Sequence, residues 1–423
     1  MNGPEKAEEK GPTAWYQWVE PWYVAYALLG VTVAGLGPIL IPLTVARGGS
    51  ATQVGLVMAA ISLGGLTAPL WGFLADRLRW HRALLAGGIV AAAAGLAGMA
   101  ITTRLAAWLV LAFLNGAGAV AASTVANLFV VEVHPRAEWD ERIGWLQTFY
   151  GVGQVGGLLL AGVMGEINLQ LGLLLGAGVT GLALIPGWLT THVPEKPLAE
   201  RPVLLHPAQH GEWAPRSPQN VYHHLNRKTL QRLLEAAHVP FGRFLVLWLL
   251  AFAGGATIFS FYPILMQSVY QVTPVLSSAV FAGAAALGLV LYLPAGQLSK
   301  RFGPARVLQG ALGVRLLAFL GLVGLSLATF AGRGWLALLS FVLVVLAWSF
   351  ISVSGTTLTA RLSPANEGEG MGIFNAATAL AGVIGAAAGG WVAGQWGYGA
   401  VPILSAIGVI AALVLSSTVP NTQ

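Results

Sequence analysis

Gly72-Phe73-Leu74-Ala75-Asp76-Arg77-Leu78-Arg79-Trp80 is a charged stretch between two long apolar runs, and Gly296-Gln297-Leu298-Ser299-Lys300-Arg301-Phe302-Gly303-Pro304 echoes it. A charged turn joining two apolar runs, repeated once in each half, reads as a duplicated helical bundle. Composition names the solvent of that bundle. Of 423 residues, 56% are hydrophobic and 9% charged, whereas a soluble chain carries roughly a quarter charged residues. Most of the surface therefore faces lipid. The 55 Gly and 22 Pro fit membrane helices, whose neighbours re-satisfy the backbone. The absence of cysteine excludes disulfides and thiolate metal sites. Residues 1–10 are polar, mixed in charge and lack a secretory-leader layout, so the first apolar run is expected to be a retained span.

A span takes ~20 apolar residues to cross ~30 Å of hydrocarbon. Twelve stretches qualify: 22–45, 53–75, 83–103, 106–131, 143–165, 170–191, 242–266, 274–298, 306–330, 335–360, 370–394 and 399–418. The longest gap separates two sets of six. The expected organisation is a cytoplasmic tail (1–21) with an aromatic interfacial segment, a six-helix bundle (22–191), a linker (192–241), a second bundle (242–419) and a short cytoplasmic tail (420–423). Of the 22 basic residues, only Arg47, Arg104 and Arg333 fall between spans on one face, and Arg315 lies within a span. The rest mark the cytoplasmic face, which puts both termini inside. The net charge of +6 thus marks a membrane side and gives no support for nucleic-acid binding.

Two cytoplasmic segments carry their own pattern. Trp15, Tyr16, Trp18 and Trp22 form an aromatic belt at the entry to the first span. In the linker, Ser217-Pro218 reads as an N-cap and first helical position. Val221, Leu225, Leu230, Leu233 and Leu234 then lie opposite Arg227, Lys228 and Arg232. That helix either rests on the inner leaflet or packs against the bundle.

Twelve spans in two halves, with G-x-L-A-D-R between the second and third, resemble the major facilitator superfamily of secondary transporters. The resemblance implies an all-α membrane protein of two pseudo-symmetric six-helix bundles in a bacterial inner membrane. It departs from the motif at Arg79, where a Gly is usual, and at Lys300, which stands in the Asp position of the second copy. The fifth span is similar to the Gly-rich helix of exporters in this superfamily: Gly144, Gly153, Gly157 and Gly162 fall in register, with Leu158 and Ala161 replacing a Pro and a Gly. Helix packing accounts for the same glycines equally well. Laid on the eleventh span, the fifth aligns Gly144 with Gly372, Gly157 with Gly385, Gly162 with Gly390, Gln147 with Asn375 and Tyr150 with Thr378.

Chemistry is sparse. The sequence shows no metal-ligand spacing and no nucleophile constellation, so neither a cofactor nor enzyme activity is expected. All eight histidines and all sixteen acids fall in tails, loops or span ends. A proton-coupled carrier ordinarily places a shiftable carboxylate at the midplane, so coupling to a proton stays open. Arg315, about 13 Å beyond Arg306 along the helix axis, is expected to snorkel to inner-leaflet phosphates or to bind backbone carbonyls, with a substrate role as the alternative. Neutral and aromatic groups remain for cargo: Asn115, Gln147, Tyr150, Gln154, Trp248, Phe259, Tyr262, Trp348, Ser352, Asn375 and Thr378. All lie on spans that line the cavity in the resembling family. For gating, that family assigns Asp76, next to Arg77, to cap the cytoplasmic start of the eleventh helix; Lys300, next to Arg301 at the equivalent place of the second copy, has the wrong sign for that task, so the halves are not expected to lock symmetrically. Glu132 is expected to pair with Arg77 or Arg142. The expected protein is a monomeric carrier among membrane lipids. It moves a small neutral or amphipathic organic molecule, with efflux favoured; the alternatives are a facilitator or uptake carrier without proton coupling, or a non-transporting or lipid-scrambling membrane protein on the same fold.

Overall fold

The computed structural model describes residues 18–78, 80–134, 138–190, 239–363 and 367–420. The linker helix expected over 217–237 and the belt residues Trp15 and Tyr16 lie outside them, as do the side chains of Asp76, Arg77 and Glu132. Among the described residues, twelve helices are long and apolar enough to cross a membrane. They are α1 (Tyr23–Gly48), α2 (Ala51–Ala75), α3 (His81–Ile101), α4 (Leu105–Val130), α5 (Glu141–Ile167) and α6 (Leu169–Leu189), then α7 (Pro240–Ser268), α8 (Pro274–Phe302), α9 (Pro304–Leu327), α10 (Arg333–Leu362), α11 (Gly370–Trp396) and α12 (Tyr398–Ser416).

Local chemistry starts these helices. Ser50 and Gln53 close a capping box at α2, Asn168 accepts from Leu171 N–H at α6, and Thr273 accepts from Leu276 N–H at α8. Each satisfies amides that have no partner within the first turn. Pro240, Pro274 and Pro304 occupy first-turn positions, where the missing N–H costs nothing.

Three spans that read as continuous are broken. α1 carries a π-helical segment, Val31–Leu36, just before Pro38, whose missing N–H and ring disturb the preceding turn. α2 breaks between Gly65 and Ala68, where Thr67 donates to the Gly64 carbonyl at 2.6 Å and Pro69 follows. α6 breaks at Ala183, ahead of Pro186. The first two breaks border the central cavity. Trp22 also departs from expectation: it is 3% exposed and packs on Tyr23 and Phe129, so it belongs to the core of the first bundle rather than to a lipid interface.

Glycine contacts set the helix pairs. Gly153 and Gly157 of α5 press on the backbone of α1 with no room for a Cβ, and Gly385 of α11 does the same to α7 at Ala253. Gly162 of α5 meets α8 at Pro274, Val275 and Ser278, while Gly390 of α11 meets α2 at Ala51 and Gly55. Gly144 and Gly372 both face open space. The three glycine pairs aligned between the halves therefore occupy equivalent contacts.

Between the halves, α2 packs on α11 and α5 on α8, and the outer part of α1 touches α7. These contacts gather at one end. Thr52 donates to the Gly390 carbonyl, and Glu166 accepts from Val275 N–H at the start of α8. At the other end the same four helices diverge: nothing lies within 4 Å of where a Cβ would stand on Gly72, Gly144, Gly296 or Gly372. Lys300 and Arg301, in the last turn of α8, lie toward this parted end.

Candidate functional site: a central cavity between the halves

A continuous cavity of two chambers fills the space between the diverging helices. The larger, about 770 Å³, reaches the parted end and is walled by α1, α2, α4 and α11, with Phe252 of α7. The smaller, about 400 Å³, sits deeper, among α7, α8, α9 and α10. Pro38, Met58, Ser62, Phe252 and Gly382 line both.

In the larger chamber, Asn115, Ala119, Ser123 and Asn127 follow one i, i+4 row of α4 into the cavity. Asn375 and Thr378 enter from α11, and Tyr26 and Thr32 from α1. Several of these side chains are already engaged. The Asn115 amide donates to the Ala92 carbonyl at 2.8 Å, and the Asn127 amide to the Ser123 carbonyl at 2.8 Å. Thr378 accepts from the Trp248 indole at 2.8 Å. Gln147 does not itself line the wall; it is exposed and hydrogen-bonds Tyr26, which does. Tyr150 stands behind Tyr26, ring centroids 4.9 Å apart.

The smaller chamber is ringed. Phe252, Phe259, Phe281, Tyr292 and Trp348 face it, with Gln154 from α5 and Ser349 at its edge. Trp348 and Phe252 meet edge to face at 5.6 Å, and Tyr292 is hydrogen-bonded to Trp348 and Ser352. Ser352 thus supports the wall without forming it. Trp248 and Tyr262 lie in the packed core instead. Trp248 is 2% exposed, with its ring seated on Gly355 and Phe374. Tyr262 stacks on Phe341 at 3.7 Å and donates to the Ser277 carbonyl.

Arg315 departs furthest from expectation. It is 1% exposed, lines the smaller chamber, and places its guanidinium carbon 5.7 Å from the Trp348 ring centroid. Neither Nε nor Nη2 has a hydrogen-bond partner. It therefore neither snorkels to a headgroup nor bonds a carbonyl through those atoms. Among the described residues, no acid and no histidine lines either chamber.

The remaining gate residues sit apart. Lys300 and Arg301 are exposed in the last turn of α8. Arg142 is held by Glu138 at 3.0 Å and Glu20 at 3.2 Å, and Glu20 also meets His134. Sequence reasoning missed Tyr26, Asn127 and Tyr292 on the wall and Glu166 at the closed end. Asn127 had a signal, lying on the row of Asn115; Tyr292 had none, because the neighbouring residues 279–291 of α8 are apolar on every face.

A family model described as the Major Facilitator Superfamily matches residues 22–367. The class C tetracycline resistance protein of Escherichia coli is 24% identical over 340 residues, which span 79% of this chain and 78% of that protein. Among solved structures, a nucleoside transporter superposes with TM-score 0.75 at 14% identity, covering 96% of this chain and 100% of that one. A D-xylose–proton symporter superposes with TM-score 0.69 at 17% identity, covering 95% and 97%.

Proposed function

The chain belongs to the Major Facilitator Superfamily, and from that premise we propose a secondary carrier that exports a small amphipathic organic molecule across the bacterial inner membrane by alternating access. One observation carries this reading: a single cavity between two halves, closed at the end of Thr52, Glu166 and Val275 and parted at the end of Gly72 and Gly372. Rocking that closes the parted end and opens the other transfers the contents without a through-channel. Rings for an apolar body and amides for polar substituents are the usual composition of a small-molecule site. Export is supported by the exporter-like glycine register of α5 and by the similarity to a resistance protein.

Among the described residues, neither chamber has a carboxylate or an imidazole on its wall, the groups that bind and release a proton near neutral pH. The cycle is accordingly assigned to cargo movement with no proton held in the cavity. Reconstitution tests the proposal. Proteoliposomes loaded with fluorescent aromatic compounds should show saturable, competable efflux that survives a protonophore. Movement of labelled phospholipid with no saturable cargo flux identifies a scramblase and overturns the carrier. Flux that collapses with the proton gradient overturns the uncoupled cycle.

A further inference from the structure

We propose that the cargo is an organic anion whose acidic group is bound by Arg315 while its ring stacks beside Trp348, a proposal that rests on the carrier reading above. Arg315 stands midway along α9 (Pro304–Leu327), so it is placed near the middle of the membrane. An arginine stays charged under any condition a cell offers. A buried cation is retained only when paired, hydrated or functional, and among the described residues no acid lines either chamber. The guanidinium keeps Nε and Nη2 unpartnered, and these adjacent N–H groups form the fork that grips a carboxylate or sulfonate with two parallel bonds.

The guanidinium belongs to the chamber wall, with Nε and Nη2 buried and Nη1 against Gly255, where even a Cβ would come within 3.1 Å. Trp348 covers one side of the cation and Tyr292 holds the indole in place. Gln154 and Ser349 line the same chamber. The outcome is a buried cation beside a ring platform, on the wall of a cavity that leads to the cytoplasmic end. Charge also supplies a direction. An anion leaving a cell that is negative inside moves down the electrical gradient, by about fiftyfold in concentration ratio per 100 mV. Export then needs no proton-binding side chain, in keeping with a wall that has none.

Matched pairs that differ only in charge provide the test: naphthoate against naphthamide, and naphthalenesulfonate against naphthalenesulfonamide, followed by thermal shift and titration on the purified full chain. The parent should bind each acid about tenfold or more tightly than its neutral partner. Arg315→Gln should erase that preference and Arg315→Lys restore part of it. The ligand-free melting temperature of Arg315→Gln should equal or exceed that of the parent, because an unpaired buried charge is removed. In proteoliposomes, naphthalenesulfonate efflux should accelerate when the cytoplasmic side is made negative. Equal binding of acids and amides, a preference that persists in Arg315→Gln, or no binding of any acid overturns the anion site. Binding only of phosphatidylglycerol overturns the soluble cargo. If neutral compounds are carried as fast as acids, the carrier stands and the anion inference falls; if acids bind tightly but nothing moves, the carrier falls instead.

Discussion

The wall made by α1, α2, α4 and α11 offers the cavity amides and hydroxyls, whereas that made by α7, α8, α9 and α10 offers rings and one guanidinium. The backbone beneath them is much more alike. Gly157 and Gly385 make the same contact, α5 on α1 and α11 on α7, and Gly162 and Gly390 both face the opposite half. Duplication preserved the close helix approaches, where any side chain beyond hydrogen collides. It left the cavity-facing positions free to diverge, because a side chain pointing into open space meets no steric constraint. Scaffold symmetry and chemical asymmetry therefore reside on the same helices.

The sharpest way to break this contrast is at the shared glycines. Gly157→Leu and Gly385→Leu should each cost about 3 kcal/mol or more by forcing a side chain against a backbone carbonyl. Gly144→Ala and Gly372→Ala should leave stability unchanged or raise it by up to about 1 kcal/mol, since helix propensity improves and nothing is displaced. Thermal unfolding in detergent measures both. Comparable losses at all four positions contradict the equivalence.

Next come the two tryptophans of the ringed wall. Trp248 is core, so Trp248→Ala should cost about 3–5 kcal/mol in stability. Trp348 faces the cavity, so Trp348→Ala should cost much less stability and weaken binding of an aromatic cargo by up to about tenfold, the value of one ring contact. Titration alongside melting separates the two roles, and identical profiles for both variants contradict the assignment.

Smaller effects are expected on the amide wall and at the closed end. Asn375→Ala should lower cargo affinity by about two- to tenfold, the worth of one hydrogen bond, with stability within about 0.5 kcal/mol of the parent. Glu166→Gln removes a carboxylate from the N-terminus of α8, an interaction worth about 0.3–1 kcal/mol. The labelling rate of Ser278→Cys by an impermeant maleimide should therefore rise about two- to fivefold. An unchanged rate contradicts a latch at Glu166.

Much of the scaffold was legible because lipid demands long apolar runs, and because glycine spacing survives duplication. The helix breaks were harder to read. Pro38, Pro69 and Pro186 flagged three spans, yet membrane helices accommodate proline without breaking when neighbours satisfy the backbone. Which residues face the cavity was only partly legible. Asn115, Gln154, Phe259, Trp348, Asn375 and Thr378 stand on its wall, while Trp248 and Tyr262 are packed behind it. In a soluble helix the polar face marks the outside; in α7 and α9 the few polar residues do not mark an outside face, because lipid leaves the outward face apolar too. Arg315 shows the consequence. Its depth was readable, but its direction depended on Gly255 making room on the neighbouring helix.

The central claim is that the halves close one end of the cavity while opening the other. The chain has no cysteine, so introduced pairs report without background. Thr52 and Gly394 lie in contact across the closed end, while Gly72 and Gly372 face open space at the parted end. In proteoliposomes, oxidising the Thr52→Cys/Gly394→Cys pair should abolish cargo flux, and reduction should restore it. Undiminished flux with that pair locked would contradict the account.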